Sequence, residues 1–181
     1  MKGMTMRTQV LCATALALCM LASGSARADG GGGGGGSQQQ TCPRGYVYDS
    51  SSNRCVPQHA SVLSDDALAE YAYALIKQQR YQDALAVLEL VKNPNNAVAL
   101  NYRGYATRKL GRLDEGIGYY LKSVSLDPHY AKVREYLGEA YLVKGDPASA
   151  RAQLQAIKGI CGTTCESYEH LAIAIADPAD L

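Results

Sequence analysis

Residues 97–130 read AVALNYRGYATRKLGRLDEGIGYYLKSVSLDPHY, and residues 131–162 read AKVREYLGEAYLVKGDPASARAQLQAIKGICG. Laid one over the other, Gly104, Gly111 and Gly116 recur 34 positions later as Gly138, Gly145 and Ala150. Two small residues also lie twelve apart in each stretch, Gly104/Gly116 and Gly138/Ala150, and Ala72/Ala84 repeats that spacing upstream. A period of this length with paired small residues predicts a helix–turn–helix repeat. The small residues stand where two antiparallel helices cross, and bulkier side chains would force the helices apart. Asn93-Pro94-Asn95-Asn96 and Asp127-Pro128 supply stop signals, because proline cannot continue a helix.

These positions resemble the tetratricopeptide repeat family. Leu100, Gly104, Gly111, Gly116, Tyr120 and Pro128 of the second unit, residues 97–130, fall on the family's marked positions. The third unit, 131–162, supplies Leu137, Gly138, Tyr141, Gly145, Ala150, Leu154 and Ile157. The first, 65–96, is two residues shorter but keeps Leu68, Tyr71, Ala72, Tyr81, Ala84, Leu88 and Val91. Arg103, Thr107 and Ser123 depart from the family's usual apolar, aromatic and alanine positions, which suggests a looser second unit. The resemblance implies an all-α right-handed superhelix of three helix–turn–helix units. One repeat cannot bury its own apolar face, so stacking supplies the core and the ends need covers. Residues 163–181 are read as that C-terminal cap helix and tail. Thr163 and Glu166 have capping-box spacing, and Tyr168, Leu171, Ala172 and Ile175 form the stripe expected to pack on the last repeat.

In this family the first helices of successive units line a concave groove. Carrying those positions over gives Asp66, Ala69, Tyr73, Ile76 and Lys77 from the first unit. The second gives Val98, Asn101, Tyr105, Arg108 and Lys109, and the third gives Lys132, Glu135, Glu139, Leu142 and Val143. Tyr73 and Tyr105 occupy equivalent positions with Arg108 and Lys109 one turn beyond, a cradle for a peptide with apolar anchors and an acidic group. The family's clamp for an acidic C-terminus is not reproduced. Tyr73, Tyr102 and Tyr136 take three of its usual amide or basic positions, and only Lys132 matches.

Upstream, residues 1–28 carry Lys2 and Arg7, an apolar run from Val10 to Ala22, and an Ala26-Arg27-Ala28 end. These are the parts of a secretory signal peptide, with cleavage expected after Ala28. Removing it takes away Lys2, Arg7 and Arg27, so 15 basic residues face 17 acidic ones and the charge moves from +1 to near −2. That balance gives no electrostatic case for nucleic acid. No integral membrane segment is expected after cleavage, and the location reads as periplasmic or secreted. Residues 29–41 begin with a glycine run, Gly30–Gly36, and read as a flexible Gly/Gln-rich linker. Residues 42–57 read as a small hairpin, followed by a linker at 58–64. This hairpin resembles a short Cys-Pro-x-Gly…Cys-Val element of exported bacterial proteins.

Of six cysteines, Cys12 and Cys19 leave with the signal peptide. The remaining four allow three pairings; Cys42–Cys55 with Cys161–Cys165 is favoured because each pair is local. Cys161 and Cys165 are separated by one residue more than the redox Cys-x-x-Cys motif. A thiol redox accessory is nonetheless a second reading, and a metal set with His170 lacks a fourth ligand. Tyr46 and Tyr48 of the hairpin offer a third, stacking on a cell-wall sugar. No hydrolase elbow or metalloprotease motif appears, so no catalytic residue, cofactor or metal is assigned. The sequence therefore describes an exported, non-catalytic adaptor for a protein or peptide partner, its oligomeric state left open.

Overall fold

In the computed structural model, residues 40–58 and 63–178 are described. Residues 1–28 with the expected signal peptide, the glycine run, His59 and the last three residues lie outside them. Among the described residues, strands β1 (Tyr46–Asp49) and β2 (Arg54–Pro57) precede seven helices. These are α1 (Asp65–Lys77), α2 (Tyr81–Leu88), α3 (Ala97–Lys109), α4 (Leu113–Leu126), α5 (Ala131–Lys144), α6 (Pro147–Cys161) and α7 (Glu166–Ala176). They stack as three helical hairpins, α1/α2, α3/α4 and α5/α6, with α7 packed on α5 and α6.

Three helix starts, those of α1, α3 and α6, are fixed by a side-chain cap. Ser64 caps α1 by accepting from the Ala67 amide, Asn96 caps α3 through Ala99, and Asp146 caps α6 through Ser149 with Pro147 in the first turn. Asp65 does more than favour the helix dipole. Its carboxylate accepts the Lys92 and Asn93 amides at 2.9 and 2.8 Å, tying the start of α1 to the chain leaving α2. Those bonds hold its pKa below the usual carboxylate range.

The small residues meet as their spacing predicts. Ala72, Ala84 and Ala150 are fully buried. A Cβ built on Gly104 would lie 2.6 Å from the Tyr120 ring, and one on Gly116 would lie 2.9 Å from the Gly104 carbonyl oxygen. This approach contradicts a looser second unit. The departures from the usual pattern are also bonded: the Ser123 hydroxyl donates to the Ala97 carbonyl at 2.7 Å, and Arg103 donates to the Leu88 carbonyl at the end of α2. Thr107 is the exception, buried with an unpartnered hydroxyl among the described residues.

At the N-terminal end, β1 and β2 pair antiparallel with Val47 opposite Val56, and the Cys42–Cys55 disulfide closes the hairpin. Closing a loop of this size contributes about 3 kcal/mol in the chain-entropy view. The hairpin is not a free knob. Cys42 and Val47 are buried in the same core as Leu68, Tyr71 and Leu75. The Cys42 amide donates to the Tyr71 hydroxyl at 2.6 Å, and Arg80 donates to the Cys42 carbonyl at 2.9 Å. Arg44 and Arg80 both reach Asp83. Burial works against the Asp83 charge, but these two guanidinium groups outweigh it and hold its pKa low. The hairpin is thus the N-terminal cover that a stack of repeats requires.

The C-terminal cover departs from expectation in two ways. Cys165, not Thr163, is the N-cap of α7, and no side chain caps it. The Cys161–Cys165 disulfide and Gly162, at φ +84°, shape the turn so that the helix begins just after the bridge. The buried stripe is Ser167, Leu171 and Ala174, while Tyr168, Ala172 and Ile175 are half-buried. Leu171 sets this orientation by filling the space above Gly138, where a Cβ would lie 2.5 Å from its Cδ2. Ile173 is left 66% exposed.

Candidate functional site

The groove positions resolve into columns, because the same helical position recurs in α1, α3 and α5. Ala69, Asn101 and Glu135 form one column, and all three are buried. Asn101 Nδ2 donates to the Tyr130 hydroxyl at 3.1 Å. Glu135 meets Lys132 at 2.9 Å and His170 Nδ1 at 3.1 Å, and Lys132 also reaches Glu166 at 3.3 Å. Ile76, Arg108 and Leu142 form a second column, with Ile76 and Arg108 buried and Leu142 half-buried. Arg108 Nη2 pairs with Glu139 at 2.7 Å. Burial opposes the Arg108 charge, yet nearby Tyr120 and Glu139 hold its pKa above the usual value.

Asn101, Arg108 and Glu135 therefore do not face a ligand. They lie in the seams between successive first helices, where each column meets the next repeat. Lys132 and Glu139 are half-buried and engaged by this network. Val98 is exposed in the first turn of α3, and Asp66 is exposed in the first turn of α1, where it accepts from Asn96 at 3.4 Å.

What the structure brings together is a tyrosine face. Tyr73 stacks on Tyr102 with ring centroids 5.0 Å apart and planes 16° from parallel. Tyr105 is tilted against Tyr136 at 4.9 Å and against Tyr81 at 6.4 Å. Lys77 sits over the Tyr73 ring at 5.4 Å, and Lys109 sits over the Tyr105 ring at 5.8 Å. Tyr73, Tyr81, Tyr105, Tyr136, Lys77 and Lys109 line a cleft of about 360 Å³. Burial pushes the phenols of Tyr102, Tyr105 and Tyr136 above the ordinary range, so each keeps its proton and can donate.

Tyr81 had no groove role in the sequence, and Tyr102 and Tyr136 stood there only as departures from the clamp positions, not as binding residues. Tyr102 and Tyr136 stand at equivalent positions 34 apart, a signal that could have found them. Tyr81 has no aromatic counterpart at the start of α4 or α6 and carries no such signal. Elsewhere, Tyr46 is exposed on the hairpin, but Tyr48 packs on the N-terminal core and bonds to Asn53, so the two rings do not form a free stacking pair. No helix among the described residues is long and apolar enough to cross a membrane.

Comparison with known proteins gives the same repeat. The tetratricopeptide repeat family model matches residues 70–131 and 103–163, more than half of the 181 residues. The chain belongs to the tetratricopeptide repeat family. Among solved structures, this tetratricopeptide repeat chain is similar to YrrB, described as a TPR protein with an unusual peptide-binding site. The identity is 22%, with 64% of this chain and 60% of YrrB covered and a TM-score of 0.54. It is also similar to the type III secretion chaperone SycD of Yersinia enterocolitica, solved with a peptide of the translocator YopD. There the identity is 20%, the coverage 64% and 91%, and the TM-score 0.53. A MamA fragment from Desulfovibrio magneticus RS-1 is 30% identical over 52% of this chain and 55% of that one, with a TM-score of 0.49. The chain thus spans about half the length of that relative. No curated protein sequence matches.

Proposed function

We propose that this protein is a non-catalytic adaptor of the cell envelope that holds a peptide or helix of a partner protein on its first-helix face. The tyrosine cleft is the observation that carries the reading. Rigid aromatic side chains with hydroxyl handles supply contact area at little entropic cost, which is why tyrosine is favoured where proteins meet. The buried seams beneath it, Arg108–Glu139 and Asn101–Tyr130, hold the rings on a preorganised surface. The peptide complexes named for SycD and the peptide site named for YrrB show that the same fold serves this purpose in other proteins. Export is supported by the basic head, apolar run and Ala-x-Ala end of residues 1–28, and two disulfides suit an oxidising compartment.

Changing Tyr73→Ala together with Tyr105→Ala should reduce recovery of the native partner in a pull-down by about tenfold or more, the usual effect of losing aromatic anchors. Circular dichroism should show the helical content unchanged. Undiminished recovery with this double variant would remove the groove from the account.

A further inference from the structure

The first-helix face sorts its charges. Arg108 is neutralised within the protein by Glu139, and Lys132 by Glu135 and Glu166. Lys77 and Lys109 are different: each ends its helix in the last turn, each is exposed, and among the described residues no ion pair engages either. Both ammonium groups rest over tyrosine rings. A ring face holds a cation without using up its hydrogen-bond donors, so both lysines remain able to bind an anion.

Among the described residues, the cleft between them has no carboxylate in its lining. Glu139, one turn beyond Tyr136 on α5, is held by Arg108 at 2.7 Å. A basic segment entering here would meet two uncompensated positive charges. A purely apolar one would cover the lysines and strip their water without replacing it. An acidic segment with an aromatic or aliphatic anchor meets neither penalty: the anchor lies among the rings and the carboxylates take the ammonium groups. The other end of the face, around Lys132, is already neutralised and offers no such preference.

We infer that the cleft between the ends of α1 and α3 selects an acidic peptide segment of a partner protein, read by Lys77 and Lys109 over Tyr73 and Tyr105. This specificity rests on the adaptor reading above and relocates acid recognition from Arg108, which the seam consumes, to the two terminal lysines.

The test is selection of a random peptide phage library on the full chain, followed by fluorescence anisotropy with the selected peptides. Selected sequences should be enriched in Asp and Glu flanking an aromatic or aliphatic residue. Affinity should fall about tenfold in Lys77→Gln/Lys109→Gln and fall with added salt in the wild type more steeply than in that variant. Both lysines are exposed, so unchanged circular dichroism should accompany the loss. Selection of neutral or basic sequences, failure to select any peptide, or wild-type affinity in the lysine variant would overturn the inference. If the lysine variant binds normally while Tyr73→Ala/Tyr105→Ala does not, the groove stands and only its acidic preference falls.

Discussion

Glu139→Ala should destabilise the protein by about 3 kcal/mol, read as a lowered urea midpoint followed by circular dichroism. The Arg108 side chain is only 4% exposed, so removing its carboxylate partner leaves a buried guanidinium unpaired. The penalty comes from the charge left behind, which is why truncating one partner of a buried pair costs more than the pair itself contributes. Replacing both partners tests this directly. Arg108→Met with Glu139→Leu should return to within about 1 kcal/mol of wild type, because the apolar pair fills the seam without an uncompensated charge. A loss below about 1 kcal/mol in Glu139→Ala alone would mean that Arg108 finds water, and that the seam is open.

Gly116→Val should be of similar severity, about 3 kcal/mol, for a steric reason. A Cβ at position 116 would lie 2.9 Å from the Gly104 carbonyl and 3.1 Å from the Arg108 Cβ. Both obstacles belong to α3, and the first is backbone, so neither can swing aside. The two helices must separate, taking with them the fully buried Tyr120 ring and the Ser123–Ala97 bond. Gly118→Ala is the matched control. It lies on the same helix with nothing within 4 Å of a built Cβ, so it should be neutral or slightly stabilising through the better helix propensity of alanine. A comparable loss at position 118 would show that the helix crossing does not set the cost.

Much of this architecture was legible because repetition converts one ambiguous pattern into several aligned ones. The paired small residues required close helix crossings, and Gly104, Gly116, Ala84 and Ala150 all lie in them. The groove was legible only as a set of helices. Ala69, Asn101 and Glu135 share one helical position, yet nothing in that spacing distinguishes a face open to solvent from a seam against the next repeat. The polar character of Asn101 and Glu135 pointed outward, whereas their partners, Tyr130 at the N-cap of α5 and His170 on α7, come from the next element packed against each. The C-terminal cap shows the same limit. Local signals favoured Thr163 as the N-cap, but the bridge and the fit of Leu171 over Gly138 determine both the cap position and the rotation of α7. The hairpin has too few residues to form a core, and nothing in its local sequence shows that its core is shared with α1.

The central claim is that the partner lies on the tyrosine face. A photo-crosslinking benzoyl-phenylalanine placed at Tyr105, and in a second variant at Leu121 on α4, measures this in the living cell. Leu121 is 47% exposed and lies outside the cleft, so accessibility alone favours it. The account predicts a discrete crosslinked partner from position 105 and none from position 121. The same partner captured from position 121, with position 105 silent, would contradict it.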